Sequence, residues 1–169
     1  MQINVAQLLK EPVGAKRNYE IDGLAGDNDE NHVKGKIELI RTGRGILAEG
    51  SFSADIKGNC SRCLTEVKKQ ISFIMEEEFF PAIDIVSGAH LHPPPDEFTI
   101  TDNHILDLHE AIRQYIIMAT PTRLLCRPDC SGICPICGQE LARGDCGHAS
   151  RSHDSRWDRL TQLEKESKT

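Results

Sequence analysis

Five of the seven cysteines in this 169-residue chain fall in one stretch, Cys126-Arg-Pro-Asp-Cys130-Ser-Gly-Ile-Cys134-Pro-Ile-Cys137-Gly-Gln-Glu-Leu-Ala-Arg-Gly-Asp-Cys146-Gly-His148. The other two form Cys60-Ser-Arg-Cys63, far upstream. Cysteines separated by two residues can turn both sulfurs toward one point. Zinc takes four such N or S ligands in a tetrahedron, with sulfurs about 2.3 Å away. In Cys134-Pro-Ile-Cys137-Gly138, Pro135 fixes φ inside the loop. Gly138 permits the positive-φ turn that brings backbone N–H groups to the sulfurs. This is a zinc-knuckle pattern, and the second Cys-x-x-Cys strengthens it.

Seven cysteines and His148 make eight candidate ligands, enough for two tetrahedral sites. Cys134, Cys137, Cys146 and His148 are local in sequence and form one set. Cys60 and Cys63 then meet Cys126 and Cys130 at a second site. The rival division is a zinc ribbon of Cys60, Cys63, Cys134 and Cys137, which leaves a surplus of free thiols. Taken singly, Cys126, Cys130 or Cys146 would read as a small buried apolar residue. A histidine beside cysteines is often only exposed, and Asp145 and His153 are lesser substitutes for His148. With four protein ligands at each ion, both Zn²⁺ would be closed and structural.

The bulk composition sets the context. With 38% apolar and 27% charged residues the chain is an ordinary globular protein of one domain, and only 5% aromatics makes its core mostly aliphatic. The N-terminus has no basic region followed by an apolar run, so no signal peptide is expected. No apolar stretch nears the ~18 residues that span a bilayer. A cytoplasmic location follows, where thiols stay reduced and read as metal ligands rather than disulfides. The formal net charge is −6. Ionising seven thiols and adding two Zn²⁺ takes it to about −9. That argues against a general nucleic-acid coat, which needs a basic face.

Elements to position the ligands can be read from periodicity. Residues 4–10 suit one helical turn capped by Asn4. Residues 17–22, 33–40 and 46–56 alternate as strands, with a bulge at Gly50-Ser51. A polar loop at residues 26–31 and a hairpin turn at Thr42-Gly-Arg-Gly45 join them. The Cys60–Cys63 knuckle then links the third strand to a fourth over residues 67–80. Residues 81–98, with Pro81, Gly88 and Pro93-Pro94-Pro95, form an excursion, and residues 98–101 a short strand. An apolar stripe of Ile105, Leu108, Ile112, Tyr115, Ile116 and Ala119 predicts the main helix at about 103–119, capped by Asp102 or Asn103. A last helix starts at Ser155, with Asp158 closing a capping box and Trp157, Leu160 and Leu163 on one edge; residues 164–169 fray. The expected fold is α+β: an antiparallel β-sheet or partial barrel, one main packing helix, and a Cys-rich zinc-knuckle segment near the C-terminus. Residues 1–125 form the β-rich part, and 126–169 the zinc-binding segment and terminal helix, integral to the same domain.

Other chemistries fail on context. Gly43-Arg-Gly45-Ile-Leu-Ala48 mimics a dinucleotide fingerprint, but both flanks read as strand. His109-Glu110 lacks the second histidine of a metalloprotease, since Arg113 stands there. His90 and His92 read as solvent-facing loop residues. A thioredoxin-like pair needs a helix N-terminus in a βαβ setting, and a zinc deaminase needs H-x-E. Glu76-Glu77-Glu78 is the only carboxylate run to offer a nuclease for Mg²⁺, and strand alternation splits it across two faces.

Four stretches together resemble one family. They are Gly58-Asn-Cys60-Ser-Arg-Cys63-Leu, the helix running into Ala119-Thr-Pro121, Leu125-Cys-Arg-Pro-Asp-Cys-Ser-Gly-Ile-Cys-Pro-Ile-Cys-Gly138, and Asp154-Ser-Arg-Trp-Asp-Arg-Leu160. The order and near-full span are similar to the bacterial YceD family, named for accumulation of large-subunit ribosomal RNA. Family members commonly end the cysteine segment in Cys-x-Cys, where this chain has Cys146-Gly-His148, and His can still ligate zinc. They often carry Asp-Pro-Arg where this chain has Asp154-Ser155-Arg156, a change that bears on how the last helix starts. The resemblance implies a non-enzymatic factor supporting synthesis, processing or stability of large-subunit ribosomal RNA during ribosome assembly. It supplies no catalytic residue. The implied partner is that RNA or its precursor, reached directly or through a ribosomal protein or assembly factor, with no membrane and no small-molecule substrate. The alternative class is an enzyme, a thiol-disulfide oxidoreductase or a ribosomal-RNA-processing nuclease. An acidic chain would need a local patch to touch RNA. Arg123, Arg127, Arg143, Arg151, Arg156 and Arg159 cluster around the ligands, interspersed with Asp129, Glu140, Asp145, Asp154 and Asp158, which can neutralise them.

Overall fold

The computed structural model describes residues 1–26, 31–93, 95–144 and 146–148. The strands are β1 (Gln2–Asn4), β2 (Lys16–Ala25), β3 (Asn31–Arg41), β4 (Ile46–Asn59), β5 (Glu66–Pro81), β6 (Phe98–Ile100) and β7 (Ile105–Asp107). The helices are α1 (Ala6–Lys10) and α2 (His109–Ala119), with a 3₁₀ turn at Leu141–Arg143. The expected final helix, with Ser155, Trp157, Asp158, Leu160 and Leu163, lies outside the described residues, as do most of the polar loop at 26–31 and the frayed end at 164–169.

Strands β2 to β6 form one open sheet in sequence order, so the sheet alternative holds and the barrel does not. β2 through β5 are antiparallel neighbours. Alternation sends Val33, Ile37 and Leu39, then Ile46, Ala48, Phe52, Ala54 and Ile56, then Ile71, Met75 and Phe79 into the core, because successive residues of a strand face opposite sides. α2 lies on that face through Ala111, Ile112 and Ile116. Tyr115 pins it there: its hydroxyl donates to the Glu76 carbonyl at 3.1 Å, and its ring stacks on Phe73 at 6.1 Å.

Three expectations are corrected. The main helix begins at His109, not near 103. His104 has φ 58°, which an α-helix cannot contain. Ile105–Asp107 pair antiparallel with β1 instead, so tertiary pairing overrides the helical spacing of Ile105 and Leu108. Asp102 and Asn103 therefore cap nothing; the Asp107 carboxylate accepts the His109 N–H at 2.9 Å. At the first helix Asn4 does accept the Ala6 N–H at 3.0 Å, but Val5 is the capping residue and Asn4 ends β1. The bulge at Gly50-Ser51 is absent, since the register runs unbroken through Ile37↔Gly50↔Met75 and Lys36↔Ser51↔Ile74. Gly50 instead makes room for the Phe52 ring, as does Gly35, the cross-strand partner of Phe52. That ring then stacks on Phe73 at 5.6 Å.

β6 pairs with β5 in parallel, through Phe79↔Phe98 and Phe80↔Thr99. A parallel return needs a long crossover, and the Pro-rich excursion supplies it. Asp84 orders its tip by accepting the Ser87 N–H and hydroxyl, each at 2.7 Å. The β3–β4 turn at 42–45 is a hairpin as expected, with the Thr42 hydroxyl accepting the Gly45 N–H at 2.8 Å. Strand on both flanks disposes of the dinucleotide fingerprint. No described helix is long and apolar enough to cross a membrane.

The glycine–phenylalanine fit gives a test. A Cβ at Gly35 would lie 2.4 Å from Phe52 Cδ1 and 2.5 Å from the Ser51 carbonyl oxygen, and the latter is backbone and cannot step aside. Gly35→Ala should cost about 1–3 kcal/mol of stability through overpacking, read as a lower urea midpoint at unchanged m-value.

Candidate metal centre

The β4–β5 connection is the first knuckle. The Cys60 N–H donates to Thr65 O at 2.8 Å and the Leu64 N–H to Cys60 O at 2.9 Å. The second knuckle repeats this wiring: the Cys134 N–H donates to Gln139 O at 2.8 Å and the Gly138 N–H to Cys134 O at 2.9 Å. Gly138 has φ 73°, as its place after the second cysteine demands. Its counterpart is Leu64, held at φ 63°. Sequence reasoning did not single out Leu64, although its position after Cys63 matches that of Gly138 after Cys137. A leucine there carries backbone strain on the order of 1–3 kcal/mol, so the knuckle imposes the turn against the residue's preference.

Two groups of ligand atoms converge. Cys60, Cys63, Cys126 and Cys130 form one, and Cys134, Cys137, Cys146 and His148 the other, with the atoms of each group within 4.8 Å of one another. The ribbon of Cys60, Cys63, Cys134 and Cys137 is not assembled, because the two knuckles belong to different groups. Sulfurs 2.3 Å from a tetrahedral ion lie about 3.8 Å apart. The Cys60–Cys130 sulfurs are 3.8 Å apart, the Cys63–Cys126 sulfurs 3.6 Å, and His148 Nδ1 lies 3.4 Å from the Cys146 sulfur. None of the described cysteines is in a disulfide. The donor sets fit a tetrahedral thiophilic ion.

The first centre is set into the fold. Cys60 is fully buried, Cys63 and Cys130 nearly so, and Val67, Leu125 and Ile133 pack around them. The segment after α2 is laced to the knuckle. The Ser61 N–H donates to Leu124 O at 2.8 Å, and Arg62 Nη1 to Cys130 O at 2.7 Å. The second centre lies nearer the surface: Cys134 is buried, Cys146 half-buried, and Cys137 and His148 exposed. The Leu141 N–H to Gly132 O bond, 3.0 Å, ties the two regions together.

Backbone N–H groups prepare both knuckles for thiolate. The Cys63 N–H, followed by that of Cys126, pulls the Cys60 thiol down to about 6. The Cys137 and Ile136 N–H groups do the same for Cys134, also to about 6. The Thr65 hydroxyl and N–H lower Cys63. Their neighbours are driven the other way. Cys126 is pushed up to about 12, first by its bond to Cys130 and then by burial. At Cys130 the Gly132 N–H pulls down, but burial and the Cys63 and Cys60 thiols outweigh it. At Cys146 the His148 N–H pulls down, and the Cys134 thiol and burial outweigh that. Four thiols in this space do not all ionise unless a cation is among them.

The remaining candidates sit apart. His90 and His92 are exposed in the excursion. Glu110 of the His109-Glu110 pair is held by Arg113 at 2.8 Å, which depresses its carboxyl to about 2. Arg123 is exposed. Arg127 faces Asp129 at 3.7 Å and Arg143 pairs with Glu140 at 2.8 Å. Arg151, Arg156 and Arg159, with Asp145, His153, Asp154 and Ser155, lie outside the described residues.

The family model for the Large ribosomal RNA subunit accumulation protein YceD matches residues 48–164, which takes in all eight candidate ligands. Uncharacterized proteins of Mycobacterium bovis and Mycobacterium tuberculosis are each 31% identical over 128 residues, 75% of this chain and 59% of their own length. An uncharacterized protein of Mycobacterium leprae is 27% identical over 119 residues, 70% of this chain and 52% of its own. The match thus spans less than two thirds of these curated relatives. No solved structure matches the chain.

Two predictions follow from the geometry. Native mass spectrometry of protein purified without chelator should find two zinc ions per chain, and one ion with three or more alkylatable thiols would count against two centres. Cys63→Ser should lower stability more than Cys137→Ser. The first centre closes loops of about 60 residues and the second about 15, two doublings worth about 1 kcal/mol. Equal shifts in thermal midpoint would contradict that division of ligands.

Proposed function

We infer a function from one premise, that this chain belongs to the YceD family of large ribosomal RNA subunit accumulation proteins. The protein acts in the cytoplasm as a non-enzymatic factor that supports synthesis, processing or stability of large-subunit ribosomal RNA during ribosome assembly. Its two centres hold structural Zn²⁺. The observation that carries this reading is the closure of both ligand sets, each of which offers four protein donors to one point. A zinc ion with four protein ligands has no open position for water or substrate. What such ions supply is rigidity, and a rigid surface is what a binding factor presents to RNA or to a ribosomal protein.

The thiols support the same reading. A redox enzyme needs a low-pKa cysteine that substrate can reach. Here the two thiols drawn down to about 6, Cys60 and Cys134, are 0% and 3% exposed. Cys126 is exposed, and its thiol is pushed up to about 12. A nuclease needs converging carboxylates, and Glu78 is instead engaged by the Thr42 hydroxyl at 2.7 Å and Arg44 at 2.9 Å.

The test has two arms. Cells depleted of the protein should lose mature large-subunit ribosomal RNA relative to small-subunit RNA, by quantitative RNA analysis. The zinc-loaded protein, incubated with labelled precursor RNA and separately with a disulfide substrate, should leave both unchanged. Specific cleavage or disulfide turnover would replace the non-enzymatic reading with an enzymatic one.

A further inference from the structure

The sheet face opposite α2 is electrically polarised. At one end Glu38, Glu49 and Glu76 stand in a single cross-strand row. At the other, Lys57 lies directly opposite Lys68. Those ends are eight residues apart along β4, about 26 Å. Like charges directly opposite each other destabilise an antiparallel pair. A local rule broken with no folding gain marks a position kept for function.

No close ion pair holds the lysine end. Among the described residues no ion pair reaches Lys57, Lys68 or Lys69, all three exposed. Of the neighbouring carboxylates, Asp22 is engaged by other cations. Asp22 takes His32 at 2.8 Å and Lys34 at 3.4 Å, whereas Asp55 lines the trough itself, accepts the neutral Gln70 amide at 3.3 Å and keeps its charge. Glu66, two residues before Lys68, is exposed and forms none of these pairs. Lys57 and Lys68, with His32, Asp55 and Gln70, line a trough of about 500 Å³ on this face, whereas Lys69, which also borders it, pairs with the buried Ile56 and alternates toward the α2 side. Lys57 is three residues before Cys60 and Lys68 five after Cys63, so the first metal centre closes the hairpin that carries them.

We propose that this lysine trough, rather than the arginines around the ligands, receives the phosphate backbone of ribosomal RNA. The inference rests on the ribosomal-RNA reading above. It resolves how a chain of net charge −6 touches RNA. The contact is local, and the glutamate row repels phosphate from the far end, confining the RNA to the end of the sheet at the knuckle. A lysine ammonium on a phosphate acts as a point charge, and such a contact carries no sequence information. The trough therefore positions RNA without selecting sequence.

Fluorescence anisotropy of a labelled single-stranded segment of large-subunit ribosomal RNA, titrated with the zinc-loaded full chain over a salt series, tests this. Lys68→Glu abolishes the like-charge pair, so its melting temperature should hold or rise while affinity falls about tenfold or more. Lys57→Ser/Lys68→Ser should flatten the log Kd against log salt slope by about 1.4, for two phosphates released. Lys16, which pairs with Glu38 at 2.6 Å, stands at the acidic end; Lys16→Glu makes the same charge change there and should leave Kd within about twofold. If wild type binds and Lys68→Glu binds equally, the trough is wrong and the RNA reading stands. Equal weakening by Lys16→Glu, or loss only in Arg123→Glu/Arg127→Glu, also overturns it. If wild type itself does not bind, direct RNA contact fails and the trough fails with it.

Discussion

Four sulfurs brought to one point from segments about 60 residues apart are the constraint on which the rest of this molecule depends. Cys60 and Cys63 sit in the connection between the two longest strands, and Cys126 and Cys130 in the segment that leaves the main helix. The sulfur spacings of 3.6 and 3.8 Å suit a shared tetrahedral ion and exclude a disulfide. Without a cation the group is frustrated. Backbone donors favour ionising Cys60 and Cys63, and each thiolate so formed raises the cost of ionising Cys126 and Cys130. A divalent ion would turn that mutual repulsion into attraction, and its binding would then be coupled to closure of the fold.

The sheet is built around that closure. β4 and β5 pair over fourteen positions and meet at the knuckle, so their register and the ligand geometry fix each other. The register sets which residues share a row on each face. On the core face it aligns Gly35, Phe52 and Phe73, and Tyr115 of α2 completes the aromatic column. On the outer face it gathers glutamates at one end and lysines at the other. A slip of one residue would send both sets to the wrong side.

Much of this was legible in the sequence, and the failures have identifiable causes. The grouping of the candidate ligands could be read because Cys-x-x-Cys spacing is a local signal and the leftover cysteines had to go somewhere. The long strands showed clean two-residue alternation. The helix start was misplaced because Ile105 and Leu108 fit a helical stripe, while the pairing of Ile105–Asp107 with β1 joins residues about a hundred positions apart. Gly50 suggested a bulge because glycine in a strand usually marks one; its actual role, space for Phe52, depends on Gly35 across the sheet. The parallel β6 was hidden for the same reason, since its partner lies beyond the Pro-rich excursion. The lysine trough was invisible in composition, because net charge averages over two ends that only register separates.

Cadmium-113 NMR of cadmium-substituted protein tests the central claim most directly, because its chemical shift reports the donor set. Two resonances are expected, one in the four-sulfur range and one in the three-sulfur, one-nitrogen range. Cys60→Ser should perturb only the first, and His148→Ala only the second. A single resonance, or one resonance moved by both Cys60→Ser and Cys134→Ser, would contradict two separate centres.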